Sequence, residues 1–94
     1  MKTDWQEFRA QMPVSRQWAY LDHAAVAPIT APTQQAITDW AKQVADQGAT
    51  PYPEWISAIS SLRTLAAKLV NASTEEIALV ANTTAGINIV AEGF

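Results

Sequence analysis

The residues best suited to chemistry lie near the end of the sequence, where the polar run Asn82, Thr83 and Thr84 follows an apolar segment, residues 77–81. From Thr84 onward the spacing of apolar residues becomes helical. The first N–H groups of a helix have no partners within the helix and carry partial positive charge, so they can bind an anion such as a phosphate. In that interpretation the threonines add hydroxyl donors, and Gly86 allows either close packing or room for the anion.

The same residues are also ordinary helix caps. Asn and Thr are preferred before a helix because their side-chain oxygens accept hydrogen bonds from first-turn N–H groups, and a cap requires no ligand. The segment contains neither the G-x-x-x-x-G-K-[ST] phosphate loop nor the G-x-G-x-x-G fingerprint. The residues by themselves leave both interpretations open.

A second candidate is the small, apolar stretch 22–28, which contains the only histidine of the chain, His23. A histidine here could titrate near neutral pH or bind a substrate carboxylate. The alternative is a hydrogen-bonded histidine that fixes the loop, and we expect Asp22 to brace the turn. No residue has a predicted catalytic role, and the absence of cysteine excludes a thiolate metal site.

Four helices and one buried strand are predicted to position these residues. The helices are expected over residues 3–11, 30–47 and 53–70, and from Thr84 onward. Capping and breaking residues define their ends: Thr3 with Gln6, Thr30 with Pro32, Gly48, Asn71, and Ser73 with Glu76. The predicted strand is the apolar run 77–81.

A strand buried on both faces needs partner strands, because its backbone groups must be hydrogen-bonded. No partner of adequate length is present in the 94 residues. We therefore interpret the chain as a piece of a larger α/β protein. A compact helical mini-domain is the alternative, although so small a core would be marginal.

The composition and charge of the sequence exclude several classes of protein. Apolar residues make up 49% of the chain, too many for a disordered one, and the net charge is −3. The six basic residues are scattered, which argues against binding to a nucleic-acid backbone. No apolar run approaches the length of a membrane span, and the early acidic residues are unlike a signal peptide. We expect a cytoplasmic protein without a membrane partner.

Two segments together resemble the class V aminotransferase and cysteine desulfurase family. Residues 20–28, YLDHAAVAP, resemble its N-terminal Tyr-Leu-Asp-Asn-Ala-Ala signature, which is followed by a proline. Residues 76–88 resemble its next landmark, a strand, a small-residue turn ending in threonine, and a helix containing an asparagine. Trp18 and residues 22–28 are most similar to the branch that includes isopenicillin-N epimerase-like proteins.

The resemblance implies a pyridoxal-phosphate (PLP) enzyme of fold type I, the aspartate aminotransferase-like α/β fold. Such enzymes are homodimers that act on an amino acid as transaminases, desulfurases, epimerases or lyases. Residues 1–30 would form an N-terminal arm and helix with an active-site loop. Residues 31–94 would begin the cofactor-binding domain, mostly helical, with one short buried strand before a phosphate-binding helix.

The resemblance also assigns residues. Thr83 and Thr84, with Asn82, would hold the cofactor phosphate, although the family more often has Gly-Ala-Thr there; the backbone donors survive that change. The loop residues His23, Ala24 and Ala25 would shape the substrate pocket, with His23 standing where asparagine is commoner.

The cofactor also needs a lysine for its Schiff base and an acidic partner for its ring nitrogen. In the family both lie well downstream of the phosphate turn, and Lys2, Lys42 and Lys68 match neither position. We therefore expect the 94 residues alone to be inactive. The alternative function is a small, non-catalytic helical module that docks its apolar faces on a partner.

Overall fold

The computed structural model describes residues 3–93, and the regular structure within that range is helical. Its helices are α1 (Asp4–Ala10), α2 (Ala31–Gln47), α3 (Tyr52–Val70) and α4 (Thr83–Gly93), with short 3-10 helices at Pro13–Arg16 and Thr74–Glu76. The chain divides into two compact units, of which the first ends at Ala49 and the second begins at Thr50. Each unit is described by itself.

In the first unit, α1 begins where the sequence predicts a capping residue. The backbone N–H of Thr3 donates to Oε1 of Gln6 at 3.0 Å, one of the two bonds of a capping box. After α1, Pro13 opens a 3-10 helix that runs to Arg16. The N–H of Ala31 donates to the carbonyl of Gln11 at 2.7 Å, which ties the start of α2 to the end of α1.

Helix α2 has both predicted ends. Its N-cap, Thr30, accepts through Oγ1 from the N–H of Thr33 at 3.3 Å, and Pro32 lies in the first turn, where a missing N–H costs nothing. The helix stops at Gly48, whose φ of 59° is costly for residues with a Cβ atom.

In the second unit, α3 begins at Tyr52, one residue before the predicted start, and ends at Val70, with Asn71 as its C-cap. Asn71, predicted to end the helix, adopts a left-handed conformation, with φ 56° and ψ 45°. The chain then turns through the 3-10 helix Thr74–Glu76, which lies against α3. The N–H of Ser73 donates to Oε2 of Glu76 at 2.8 Å and holds this turn closed.

The buried strand predicted over residues 77–81 is not confirmed. Ile77 has extended dihedral angles, φ −104° and ψ 118°, but no strand is assigned anywhere in residues 3–93. Leu79 and Val80 are 42% and 45% exposed. The reason is physical: a strand requires a neighbouring strand to pair with, and the described part of the chain supplies none. The segment is an extended, half-exposed connection.

Apolar surface is widely exposed in both units. Among the residues that the structure describes, only Pro51 and Ala67 are buried. The large exposed ones include Trp5, Phe8, Ile37, Ile59, Leu65 and Ile87. Within residues 3–93, none of the helices combines the length and apolarity that crossing a bilayer requires.

Candidate functional site

The first candidate site is the N-terminus of α4. Asn82 precedes the helix and accepts, through its side-chain Oδ1, a hydrogen bond from the N–H of Ala85 at 2.8 Å. Its carbonyl oxygen accepts from the N–H of Gly86 at 3.2 Å. Asn82 is therefore the N-cap of α4, as the capping interpretation predicts.

Capping by Asn82 leaves part of the helix end available. Within residues 3–93, no group accepts a hydrogen bond from the backbone N–H of Thr83 or Thr84. Both threonine side chains are exposed, and their hydroxyls can also donate. The structure thus brings two N–H groups and two hydroxyls to the positive end of an 11-residue helix.

The residues around Gly86 leave space for a small side chain at this position. A Cβ atom added there would come no closer than 3.6 Å to described atoms outside its own helix, at Cγ2 of Val80, which is an ordinary van der Waals contact. The close packing expected of this glycine is therefore not required by the residues around it.

The second candidate site is the loop around His23, in the first unit. The carbonyl of Asp22 accepts from the N–H of Ala25 at 3.2 Å and from that of Val26 at 3.3 Å. These bonds close one turn with His23 and Ala24 at its tip. Asp22 braces the turn as expected, but it does so through its backbone.

Tyr20 braces the same turn from outside, a role that the sequence pattern does not reveal. Its hydroxyl lies 2.8 Å from the carbonyl oxygen of Val26 and 3.2 Å from that of Asp22. Its ring meets the ring of His23 edge-on, with centroids 5.4 Å apart and planes at 69°. The His23 ring makes no hydrogen bond within residues 3–93, so the hydrogen-bonded histidine considered above is replaced by an aromatic contact.

A cavity of about 330 Å³ lies beside this loop, within the first unit. Its walls include Phe8, Met12, Trp18, Tyr20 and His23, with Arg9 as a basic group. Of the three predicted substrate-pocket residues, His23 lines this cavity, whereas Ala24 and Ala25 do not.

The two candidate sites lie in different units, the α4 terminus in the second and the His23 loop in the first. No group of three or more His, Cys, Asp or Glu side chains among the described residues is placed to hold a metal ion. The chemistry available is anion binding at one site and a histidine beside an aromatic cavity at the other.

Comparison with known proteins covers both sites. The family model described as Aminotransferase class-V matches residues 19–94. A probable cysteine desulfurase from Methanothermobacter thermautotrophicus is 35% identical over 97 positions, which take in 99% of this chain and 24% of that protein. The chain thus spans about a quarter of the length of this relative. No solved structure matches, and the narrower resemblance to the isopenicillin-N epimerase-like branch is not confirmed.

Proposed function

Because the chain belongs to the class V aminotransferase family, we propose that it is the N-terminal part of a PLP-dependent fold type I enzyme acting on an amino acid. The family match over residues 19–94 supports this, since it includes both the His23 loop and the start of α4. In this proposal residues 1–30 are the N-terminal arm with the active-site loop, and residues 31–94 begin the cofactor-binding domain. A homodimer is proposed from the family resemblance, and the cytoplasmic location expected from the sequence is kept as a proposal.

The start of α4 is the observation that carries the proposal. A phosphate group suits this site because the N–H groups and hydroxyls of Thr83 and Thr84 can donate to its oxygens, and the helix dipole favours negative charge. Asn82 contributes by capping Ala85, which fixes the direction of the first helical turn. PLP, when bound, supplies an electron sink for a carbanion next to the substrate amine.

The rest of the catalytic machinery is proposed to come from further residues of a longer polypeptide. Lys42 pairs with Asp46 one turn along α2, so its ammonium already has a partner. Lys68 lies in the last turn of α3, a favourable place for a cation whatever its function. The widely exposed apolar faces support the same view, because burying them requires more protein than these residues supply.

L-cysteine is the amino acid we propose to test first, because the relative from Methanothermobacter thermautotrophicus is named a probable cysteine desulfurase. The experiment uses the longer protein proposed to contain this chain, saturated with PLP. Absorbance of protein-bound PLP, followed by formation of alanine from L-cysteine, with the released sulfur reduced to sulfide by added dithiothreitol, is the expected result. Bound PLP with pyruvate formed from L-alanine, in the presence of a 2-oxo acid that accepts the amino group, would favour a transaminase. Protein that retains no PLP after gel filtration would refute the proposal.

The alternative, a non-catalytic helical module, is favoured by one observation, the exposed apolar face of α4. Ile87 and Val90 on this face are 62% and 59% exposed. A module of this kind would fold by itself. Cooperative, monomeric thermal unfolding of the 94-residue chain would support it, whereas we expect self-association without a cooperative transition.

A further inference from the structure

Two sets of hydrogen bonds stabilise the loop that contains His23, one from its own backbone and one from the side chain of Tyr20. Its own backbone closes the turn with bonds of 3.2 and 3.3 Å, from Ala25 and Val26 to the carbonyl of Asp22. The Tyr20 hydroxyl then spans six residues to reach the carbonyl of Val26 at 2.8 Å. Because a phenol has a single hydrogen, this shorter contact is the main bond, and the 3.2 Å approach to Asp22 is secondary.

The same side chain also limits where the histidine can point. The Tyr20 ring is half-buried and meets the His23 ring edge-on at 5.4 Å. One residue therefore fixes both the far end of the turn, through its hydroxyl, and the imidazole at the tip, through its ring. Both rings line the 330 Å³ cavity beside the loop.

We propose that Tyr20 is a positioning residue for substrate binding, which pre-orders residues 22–26 so that His23 faces the amino-acid substrate without a conformational cost at each binding event. This rests on the function proposed above. Ordering a loop in advance raises affinity because the entropy of ordering it is not lost on binding. Tyr20 acts through His23 and the backbone, and it does not itself take part in the reaction.

The test compares Tyr20→Phe with wild type in the longer protein loaded with PLP. This substitution keeps the ring contact with His23 and removes only the hydroxyl. Tyr52→Phe is the matched control: the Tyr52 ring lies edge-on to Trp55 at 6.3 Å, and within residues 3–93 its hydroxyl makes no hydrogen bond. The readouts are hydrogen exchange of a peptide covering residues 22–28, KM and kcat with L-cysteine, and PLP absorbance.

For Tyr20→Phe we expect exchange in residues 22–28 to rise by about fivefold, the factor that corresponds to losing one neutral hydrogen bond. We expect KM to rise by a similar factor, with kcat and PLP absorbance close to wild type. Tyr52→Phe should change none of these quantities. Unchanged exchange would refute the loop contact, and raised exchange with unchanged KM would reduce Tyr20 to a structural role.

The experiment distinguishes failure of the proposed function from failure of the proposal about Tyr20. A wild-type protein that retains no PLP refutes the proposed function and with it the positioning role; if the wild-type protein holds PLP and acts on L-alanine instead of L-cysteine, KM is measured with L-alanine. A wild-type protein that holds PLP and acts on either amino acid, while Tyr20→Phe matches it in every readout, refutes this inference alone.

Discussion

The side-chain Oδ1 of Asn82 accepts a hydrogen bond from the backbone N–H of Ala85 at 2.8 Å. Because of this bond, the backbone N–H groups at the start of α4 fall into two classes, those bonded within the protein and those that are not. The N–H of Ala85 is satisfied within the protein, while those of Thr83 and Thr84 donate to no described acceptor. A cap and an anion site are therefore compatible at this helix end, because they use different N–H groups.

Substituting Asn82 separates the two roles. Asn82→Ala removes the cap, and in the longer protein proposed to contain this chain we expect it to lower the free energy of unfolding by about 1 kcal/mol in denaturant titrations. Asn82→Asp keeps the cap but places a negative charge beside the proposed phosphate. We expect its stability to stay near wild type while PLP binds roughly tenfold more weakly or worse, measured by absorbance titration. Undiminished PLP affinity in Asn82→Asp would place the phosphate elsewhere.

The hydroxyl of Thr84 is the next group to test. Thr84→Val keeps the shape of the side chain and removes one donor to a charged group, so PLP affinity should fall roughly tenfold. Thr38→Val is a matched control on α2, where the hydroxyl donates to the carbonyl of Gln34 at 3.0 Å. That variant should bind PLP like wild type. Equal affinities in the two variants would exclude the Thr84 hydroxyl from the site.

The helix ends could be read from the sequence because they depend on local interactions. Thr30 caps α2 through a bond to Thr33, three residues away, and Gly48 and Asn71 end their helices by their own backbone angles. The cap at Asn82 follows the same rule. Such features need only the few residues around them, so a pattern in the sequence is sufficient to predict them.

The features that the sequence did not predict correctly all depend on residues that are not adjacent in the chain. An apolar run such as 77–81 becomes a strand only when another strand pairs with it, and nothing in the run itself supplies that partner. The brace from Tyr20 to Val26 likewise depends on how the intervening loop bends, which no short pattern encodes. His23 was assigned a hydrogen bond in one interpretation, whereas its neighbour is the ring of Tyr20. Whether the α4 terminus binds phosphate stays a prediction.

Replacing Gly48 with alanine should lower the stability of the protein, whereas replacing Gly86 with alanine should not. Gly48 has a φ of 59°, where a Cβ atom is strained, so Gly48→Ala should cost about 1 kcal/mol of stability. Gly86 lies inside α4 with its nearest contact at 3.6 Å, so Gly86→Ala should be neutral or gain up to about 1 kcal/mol from helix propensity. Unfolding of the longer protein in urea measures both changes in stability. A destabilising Gly86→Ala would indicate tighter packing around α4 than the described residues show.

Glu76 predicts a pH dependence of the turn before α4. The N–H of Ser73 and then its hydroxyl donate to the carboxylate, which lowers the pKa of Glu76 below its ordinary value. Because the folded pKa is depressed, this contribution to stability is complete above the ordinary pKa of a glutamate and is lost as the pH falls through the folded value.

Two substitutions test the origin of this effect. Ser73→Ala removes the hydroxyl donor and keeps the backbone one, so the pKa of Glu76, followed by NMR of its labelled carboxyl carbon, should rise only part of the way to its ordinary value. Glu76→Gln should flatten the dependence of stability on acid pH. Glu75→Gln is the charge-matched control, since within residues 3–93 that carboxylate makes no hydrogen bond to Ser73. A full return of the pKa in Ser73→Ala would mean that the hydroxyl, and not the N–H, is the main donor, which contradicts the shorter bond of 2.8 Å from the N–H.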